Sequence, residues 1–159
     1  MHITGPQHVV VPPVGDVSDP PYVVVSYVEE MQYAYAAADL AVCRAGAMTC
    51  AELAAVGLPA AYVPLPLRGA EQRLNPTAVV AAGGALAVRD AAFTAGWIET
   101  SLIPLLTDPH RLETMSERAL STYAPDAGAH LARRALTVIA DRREALRQRG
   151  GRRWFGGRA

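Results

Sequence analysis

The run Cys43-Arg44-Ala45-Gly46-Ala47-Met48-Thr49-Cys50-Ala51-Glu52 holds the residue types best placed for chemistry in this 159-residue chain. A loop of small residues entering a helix leaves several backbone N–H groups without partners. Together with the helix dipole they attract an anion, and a phosphate fits well. Gly46 lets the backbone approach a ligand closely, and Arg44 adds a planar cationic fork. The same stretch also has a reading that needs no ligand. Thr49 and Glu52 have the T-x-x-E spacing of a capping box, in which both side chains satisfy N–H groups at a helix start. On pattern alone the cap is the stronger reading, and the two roles are compatible.

A second cluster lies in Arg68-Gly69-Ala70-Glu71-Gln72-Arg73-Leu74-Asn75. Glu71 and Asn75 are four residues apart and share a helix face, with Gln72 beside them. A carboxylate and two amides offer both donors and acceptors, which suits sugar hydroxyls. An ordinary solvated first turn explains the same residues, and on pattern alone it is preferred. His2, His8, His110 and His130 are scattered without metal-type spacing, so no metal site is expected. Cys43 and Cys50 have no base nearby in sequence and read as structural thiols.

The elements that must position these groups alternate. His8–Val11 competes with Met1–Thr4 for a first strand, and Val11–Pro21 is a Pro- and Asp-bearing loop. Tyr22–Tyr27 reads as a buried strand, Glu29–Ala38 as a helix and Leu40–Cys43 as a short strand. Thr49–Val56 reads as a helix closed by Gly57 and Pro59, and Ala60–Leu65 as a strand. Pro66–Ala70 is a turn, and Glu71–Ala82 a helix that Pro76 opens or kinks. After Gly83-Gly84 come a strand over Ala85–Val88 and a helix over Thr94–Thr107, complicated by Pro104. Asp108 and Pro109 read as the N-cap and first residue of a helix with Leu112, Met115, Ala119 and Tyr123 on one face. A final helix, Ala127–Leu146, should turn Leu131, Ala135, Val138 and Ile139 inward, and Gly150–Ala159 should be disordered. Apolar strands between helices predict an α/β fold, a Rossmann-like parallel sheet covered on both faces. Such sheets bind ligands at the carboxyl ends of their strands.

Composition narrows the class. Hydrophobic residues make up 51% and charged residues 19%, as in a globular domain. The formal net charge is zero, but residues 1–140 carry 8 Arg against 13 acids and residues 141–159 carry 7 Arg against 2. An acidic body with a basic end is expected, with the domain over 1–146 and an Arg-rich tail over 147–159. A wholly basic nucleic-acid-binding domain is not the first reading, and no nucleic-acid partner is expected. All 15 basic residues are arginine, which reads as codon bias. No disulfide framework, signal-peptide pattern or run of 18 apolar residues is visible, so a reducing compartment and no membrane span are expected.

Tyr27–Met31, Ala34–Leu40, Cys43–Thr49, Glu52–Pro59, Val63–Pro64 and Glu71–Asn75 resemble, in order and spacing, the C-terminal domain of MurG-type enzymes of glycosyltransferase family 28. The strings Ala36-Ala37-Ala38-Asp39-Leu40, Cys-Arg-x-Gly-Ala-Met-Thr and Glu-Gln-Arg-Leu-Asn carry the likeness, and the composition suggests an actinobacterial member. The resemblance implies the C-terminal half of a two-domain GT-B fold. It implies transfer of N-acetylglucosamine from UDP-N-acetylglucosamine to lipid I in peptidoglycan synthesis, by an inverting enzyme without a cofactor, peripheral to the inner face of the cell membrane. By the resemblance, Tyr27 and Val28 lie against the uracil. Arg44, Gly46, Ala47, Met48 and Thr49 reach the uracil side and the phosphates. Glu52 bonds the ribose hydroxyls, which now outweighs the cap. Glu71 and Gln72 contact the sugar, supported by Asn75. The family's first strand and glycine-rich phosphate loop are expected to lie before Met1, as is the N-terminal acceptor domain with its candidate base. No catalytic residue is therefore assigned, and a partner chain supplying that half in trans is one expectation. An inactive fragment serving as a nucleotide-sugar-binding or protein-interaction module is the alternative, as is a related UDP-sugar transferase with another acceptor. Ala45 stands where many members carry Ser, and Glu71 where some carry Gln.

Overall fold

The computed structural model describes residues 1–8, 10–11, 20–66 and 71–152. By its internal contacts the chain divides into Met1–Thr122 and Tyr123–Ala159. Two parallel sheets lie in the first unit. In the smaller, β1 (His2–Ile3) pairs with β2 (Val24–Val25), His2 opposite Val24. Met1–Thr4 thus supplies the first strand rather than His8–Val11. The His2 N–H bonds the Val23 carbonyl at 2.7 Å and the Thr4 N–H the Val25 carbonyl at 3.0 Å. The strand expected over Tyr22–Tyr27 shrinks to the two residues that this short partner can pair.

The larger sheet has the order β3 (Ala41–Cys43), β4 (Ala60–Tyr62), β5 (Ala85–Ala87), all parallel. Strand β4 is central and buried at every position, whereas Val42 on β3 is exposed. Helix α1 (Met31–Ala36) precedes β3, and α2 (Ala47–Val56) connects β3 to β4. Gly57 ends α2 at φ 67°, with its N–H on the Ala54 carbonyl and the Leu58 N–H on the Leu53 carbonyl. A Cβ at Gly57 would stand 2.6 Å from Leu120 Cγ, so this turn also admits the helix that carries Leu120.

The helix expected over Glu71–Ala82 is two helices, α3 (Glu71–Leu74) and α4 (Thr77–Ala81). Pro76 is fully buried and opens α4; its carbonyl accepts from the Val80 N–H at 2.9 Å. A proline has no N–H to continue α3, so the chain restarts there. The turn Pro66–Ala70 lies outside the described residues beyond Pro66.

After β5 a 3-10 turn (Asp90–Ala92) leads to a continuous helical stretch. Helix α5 (Ala95–Trp97) is capped by the Thr94 hydroxyl, which accepts from the Trp97 N–H at 3.3 Å. A π turn over Ile98–Leu102 then makes room for Pro104 at the start of α6 (Ile103–Leu106). Helix α7 (Pro109–Ser121) begins as its Asp108-Pro109 signal predicts, the carboxylate accepting from the Arg111 N–H at 3.0 Å. Met115 and Ala119 are buried, while Tyr123 is exposed. Ala45, Cys50, Leu53, Leu58, Ala60, Tyr62, Val79, Ala85 and Ala119 form one apolar cluster.

The second unit is dominated by α8 (Ala127–Arg152), whose backbone runs past the expected end at Leu146. Residues 153–159, the rest of the expected disordered tail, lie outside the described residues. The expected inward face is not buried. Leu131 is 72%, Leu136 66% and Val138 53% exposed, and Ala135 and Ile139 are exposed as well. A 3.6-residue apolar period marks one face of a helix but does not say what covers it. No described helix is long and apolar enough to cross a membrane.

Candidate functional site

The residues singled out around positions 44–52 and 71–75 meet at the carboxyl edge of the three-stranded sheet. Strand β3 ends at Cys43, and α2 begins at Ala47 with Gly46 as its N-cap in extended geometry, φ −64° and ψ 146°. Only Arg44 and Ala45 separate the strand from that cap. No side chain caps α2, and its first intrahelical bond runs from the Cys50 N–H to the Gly46 carbonyl at 2.9 Å. The helix start therefore keeps backbone N–H groups available to an anion.

The capping box does not form. Helix α2 starts two residues earlier than the pattern suggests, so Thr49 and Glu52 lie inside it. Glu52 bonds elsewhere: its Oε2 accepts from the Tyr35 hydroxyl on α1 at 2.7 Å. The reason is local. Gly46 takes the cap's backbone geometry, and the short link from β3 brings the helix start with it.

Arg44 spans the strand ends. Its guanidinium donates to the Val63 carbonyl, just past β4, at 3.1 Å. It also pairs with the Asp90 carboxylate, beyond β5. Both partners of that ion pair are about half exposed. Ala45 is fully buried, and its carbonyl accepts from Asn75 Nδ2 at 2.9 Å. Gln72 Oε1 accepts from the Leu65 N–H at 3.0 Å. Asn75 and Gln72 thus tie α3 and its end to the segments following β3 and β4. The pattern alone favours a solvated first turn for these amides and the resemblance gives them ligand roles; neither shows their structural bonds, because the Asn75 partner is 30 residues away.

Glu71 opens α3. Tyr27 and Met48 are exposed; Val28, Gly46 and Thr49 are half-buried, and Ala47 is exposed. Tyr27 and Val28 precede α1, which packs on α2. Asp90 carries no signal in the sequence beyond its turn setting, yet it is the acidic partner of the candidate cation.

Two thiols lie beneath the site. Burial, then the neighbouring Cys50, pushes the Cys43 thiol up to about 11. Burial raises Cys50 as well. Tyr35 is pushed up to about 12, by burial first and then by its hydrogen bond to Glu52. Burial likewise raises Tyr62. Among the described residues no three His, Cys, Asp or Glu side chains gather as a metal site. A separate open depression of about 250 Å³, lined by Leu86, Trp97, Thr100, Ser101 and Arg111 among others, shares no residue with this set.

The sequence model of the glycosyltransferase family 28 C-terminal domain matches residues 1–131. The chain belongs to glycosyltransferase family 28. This family 28 domain is 55% identical over 124 residues to a Streptomyces collinus protein named UDP-N-acetylglucosamine–N-acetylmuramyl-(pentapeptide) pyrophosphoryl-undecaprenol N-acetylglucosamine transferase, covering 78% of the chain and 34% of that protein. A Mycobacterium ulcerans protein of the same name is 47% identical over 156 residues, covering 96% of the chain and 39% of that protein. Among solved structures, Acinetobacter baumannii MurG aligns with a TM-score of 0.64 at 32% identity, covering 69% of this chain and 33% of that one. The family 28 domain therefore spans between a third and two-fifths of the length of these relatives. The two parallel sheets with flanking helices agree with that structural match and with the α/β expectation.

Proposed function

We propose that this chain is the donor-binding C-terminal part of a glycosyltransferase that moves N-acetylglucosamine from UDP-N-acetylglucosamine to lipid I in peptidoglycan synthesis. The observation that carries this reading is the junction at the sheet's carboxyl edge. There an uncapped α2 start and Arg44 meet the strand ends, with Asn75 fixing the loop between them. The names of the relatives supply the reaction.

In this reading the N–H groups of Ala47, Met48 and Thr49, with Arg44, receive the diphosphate. Negative charge grows there as the bond from the sugar to the β-phosphate breaks, and preorganised donors aimed at that charge lower the barrier. Gly46 keeps the backbone open to the ligand. Glu52 accepts from the ribose hydroxyls, and Tyr27 and Val28 lie against the uracil. Glu71 and Gln72 face the sugar hydroxyls, with Asn75 supporting them. No residue here is assigned as the base on the acceptor hydroxyl. That base, the lipid acceptor and contact with the inner face of the cell membrane are assigned to the N-terminal part of the longer transferase, in cis or as a separate chain. No metal or prosthetic group enters the scheme.

Isothermal calorimetry with UDP and UDP-N-acetylglucosamine tests the reading. Binding of both at millimolar Kd or tighter is expected, weakened about tenfold or more when Glu52→Ala removes charge-assisted bonds to the ribose. Absence of heat for either nucleotide at millimolar concentration would sink it. The exposed apolar residues of α8 favour a second reading, a protein-interaction module. Light scattering coupled to gel filtration separates the two: a monomer that binds only nucleotide counts against an interaction module.

A further inference from the structure

The displaced capping carboxylate leads to a residue with no assigned role. Glu52 lies in the middle of α2 with an exposed side chain, which would ordinarily sample many rotamers. Here one of its oxygens is taken. Tyr35 reaches across from α1 and donates its hydroxyl to Oε2 at 2.7 Å. Tyr35 itself is half-buried and packs on the apolar cluster that includes Cys50 and Tyr62. Its ring is therefore fixed by the core, and its hydroxyl is a fixed donor at the surface. Burial and the neighbouring carboxylate hold that hydroxyl protonated far beyond neutral pH.

A carboxylate is acceptor-only, with about four lone-pair directions on two oxygens. One bond from Tyr35 anchors Oε2, limits rotation of the group and still leaves Oε1 and part of Oε2 free to accept. Two neighbouring hydroxyls, as on a ribose, need two acceptor directions at a set angle. The geometry points to Tyr35 as the positioning residue that orients the Glu52 carboxylate for a ribose diol, so that α1, with no predicted contact to the ribose, sets discrimination at the sugar 2′ position. This rests on the donor-binding reading, in which Glu52 meets the ribose.

The test is calorimetry on the full chain with UDP and 2′-deoxy-UDP. The wild type is expected to prefer UDP by about 10-fold or more, the scale of one hydrogen bond to a charged acceptor. Tyr35→Phe removes only the hydroxyl. It is expected to weaken UDP several-fold and 2′-deoxy-UDP, which keeps only one of the two hydroxyls, clearly less, and so narrow the preference. Glu52→Gln narrows it too, and adding Tyr35→Phe to Glu52→Gln narrows it no further, because the two act as one unit. Glu52→Asp keeps the charge but shortens the reach by one methylene. It serves as the second probe should Tyr35→Phe fail to fold, and it is expected to lose the preference while retaining UDP binding. An unchanged UDP to 2′-deoxy-UDP ratio in Tyr35→Phe, or equal weakening of both ligands, overturns the inference and leaves donor binding standing. A wild type that binds neither ligand overturns donor binding itself, and Tyr35 falls with it.

Discussion

Cys43 and Cys50 flank the helix start that the donor reading uses, yet their chemistry is set by what covers them. Burial disfavours the thiolate, the reactive form, and holds Cys43 up to about 11. The rise from 9.0 leaves about 100-fold less thiolate at pH 8 than in an ordinary cysteine. Reaction with an aromatic disulfide reagent at pH 8 is expected to be slow in the native chain and fast in denaturant. Reactivity should climb as pH approaches 11. A native thiol that reacts at pH 8 at the denatured rate would contradict the burial. Both Cys43 and Tyr35 are neutral in the fold, so their contribution is complete below the unfolded values of 9.0 and 10.0. It is lost as pH rises through about 11 and about 12. At this scale the sequence shows much. Arg44, Gly46 and Glu52 stand out because small residues, a cation and a carboxylate follow a strand. What it hides is every partner from another element: Tyr35 for Glu52, Asn75 for the Ala45 carbonyl, Asp90 for Arg44. Such pairings depend on how elements dock, which no local spacing encodes.

Two helix starts with similar signals come out differently at the element scale. Asp108 and Pro109 predict a cap, and the cap forms, because proline's fixed φ and missing N–H leave one place to begin. Thr49 and Glu52 predict another, and it does not form, because Gly46 starts α2 sooner. The energetic consequence is testable by urea unfolding. Asp108→Ala should cost about 1 kcal/mol, the usual worth of an N-cap. Thr49→Ala should stay within about 0.5 kcal/mol, as for a helix-interior position without a capping role. Equal costs at both sites would mean that Thr49 caps after all. Pro76 and Pro104 both stand out in the sequence as complications, but whether proline breaks a helix or is absorbed depends on packing. At Pro76 the ring is buried and the helix restarts. At Pro104 the π turn over Ile98–Leu102 keeps the stretch continuous, with Leu102 and Leu105 buried on either side.

At the scale of the whole molecule, burial separates the two units. Leu53 is 1% exposed within the cluster around β4, whereas Leu131 and Val138 of α8 are open to solvent. Helix α2 is apolar nearly all round, the pattern of a buried helix, whereas α8 carries one apolar stripe that does not say what covers it. What also differs is the supply of neighbours. Helix α2 packs on α1 and α7 within a unit that closes on itself. The described chain spans only part of its relatives' length, and an amphipathic face can match surface that belongs to the remainder. Removing a fully buried side chain costs its transfer free energy plus the cavity left behind, so Leu53→Ala should lose about 2–5 kcal/mol in urea unfolding. Replacing exposed apolar groups by polar ones removes no packing, so Leu131→Gln with Val138→Gln should shift stability by no more than about 0.5 kcal/mol each. The same pair should reduce self-association at high protein concentration, since contiguous exposed apolar surface drives it. If the α8 pair costs as much as Leu53→Ala in the dilute monomer, the helix is packed in solution and its face is part of this chain's own core.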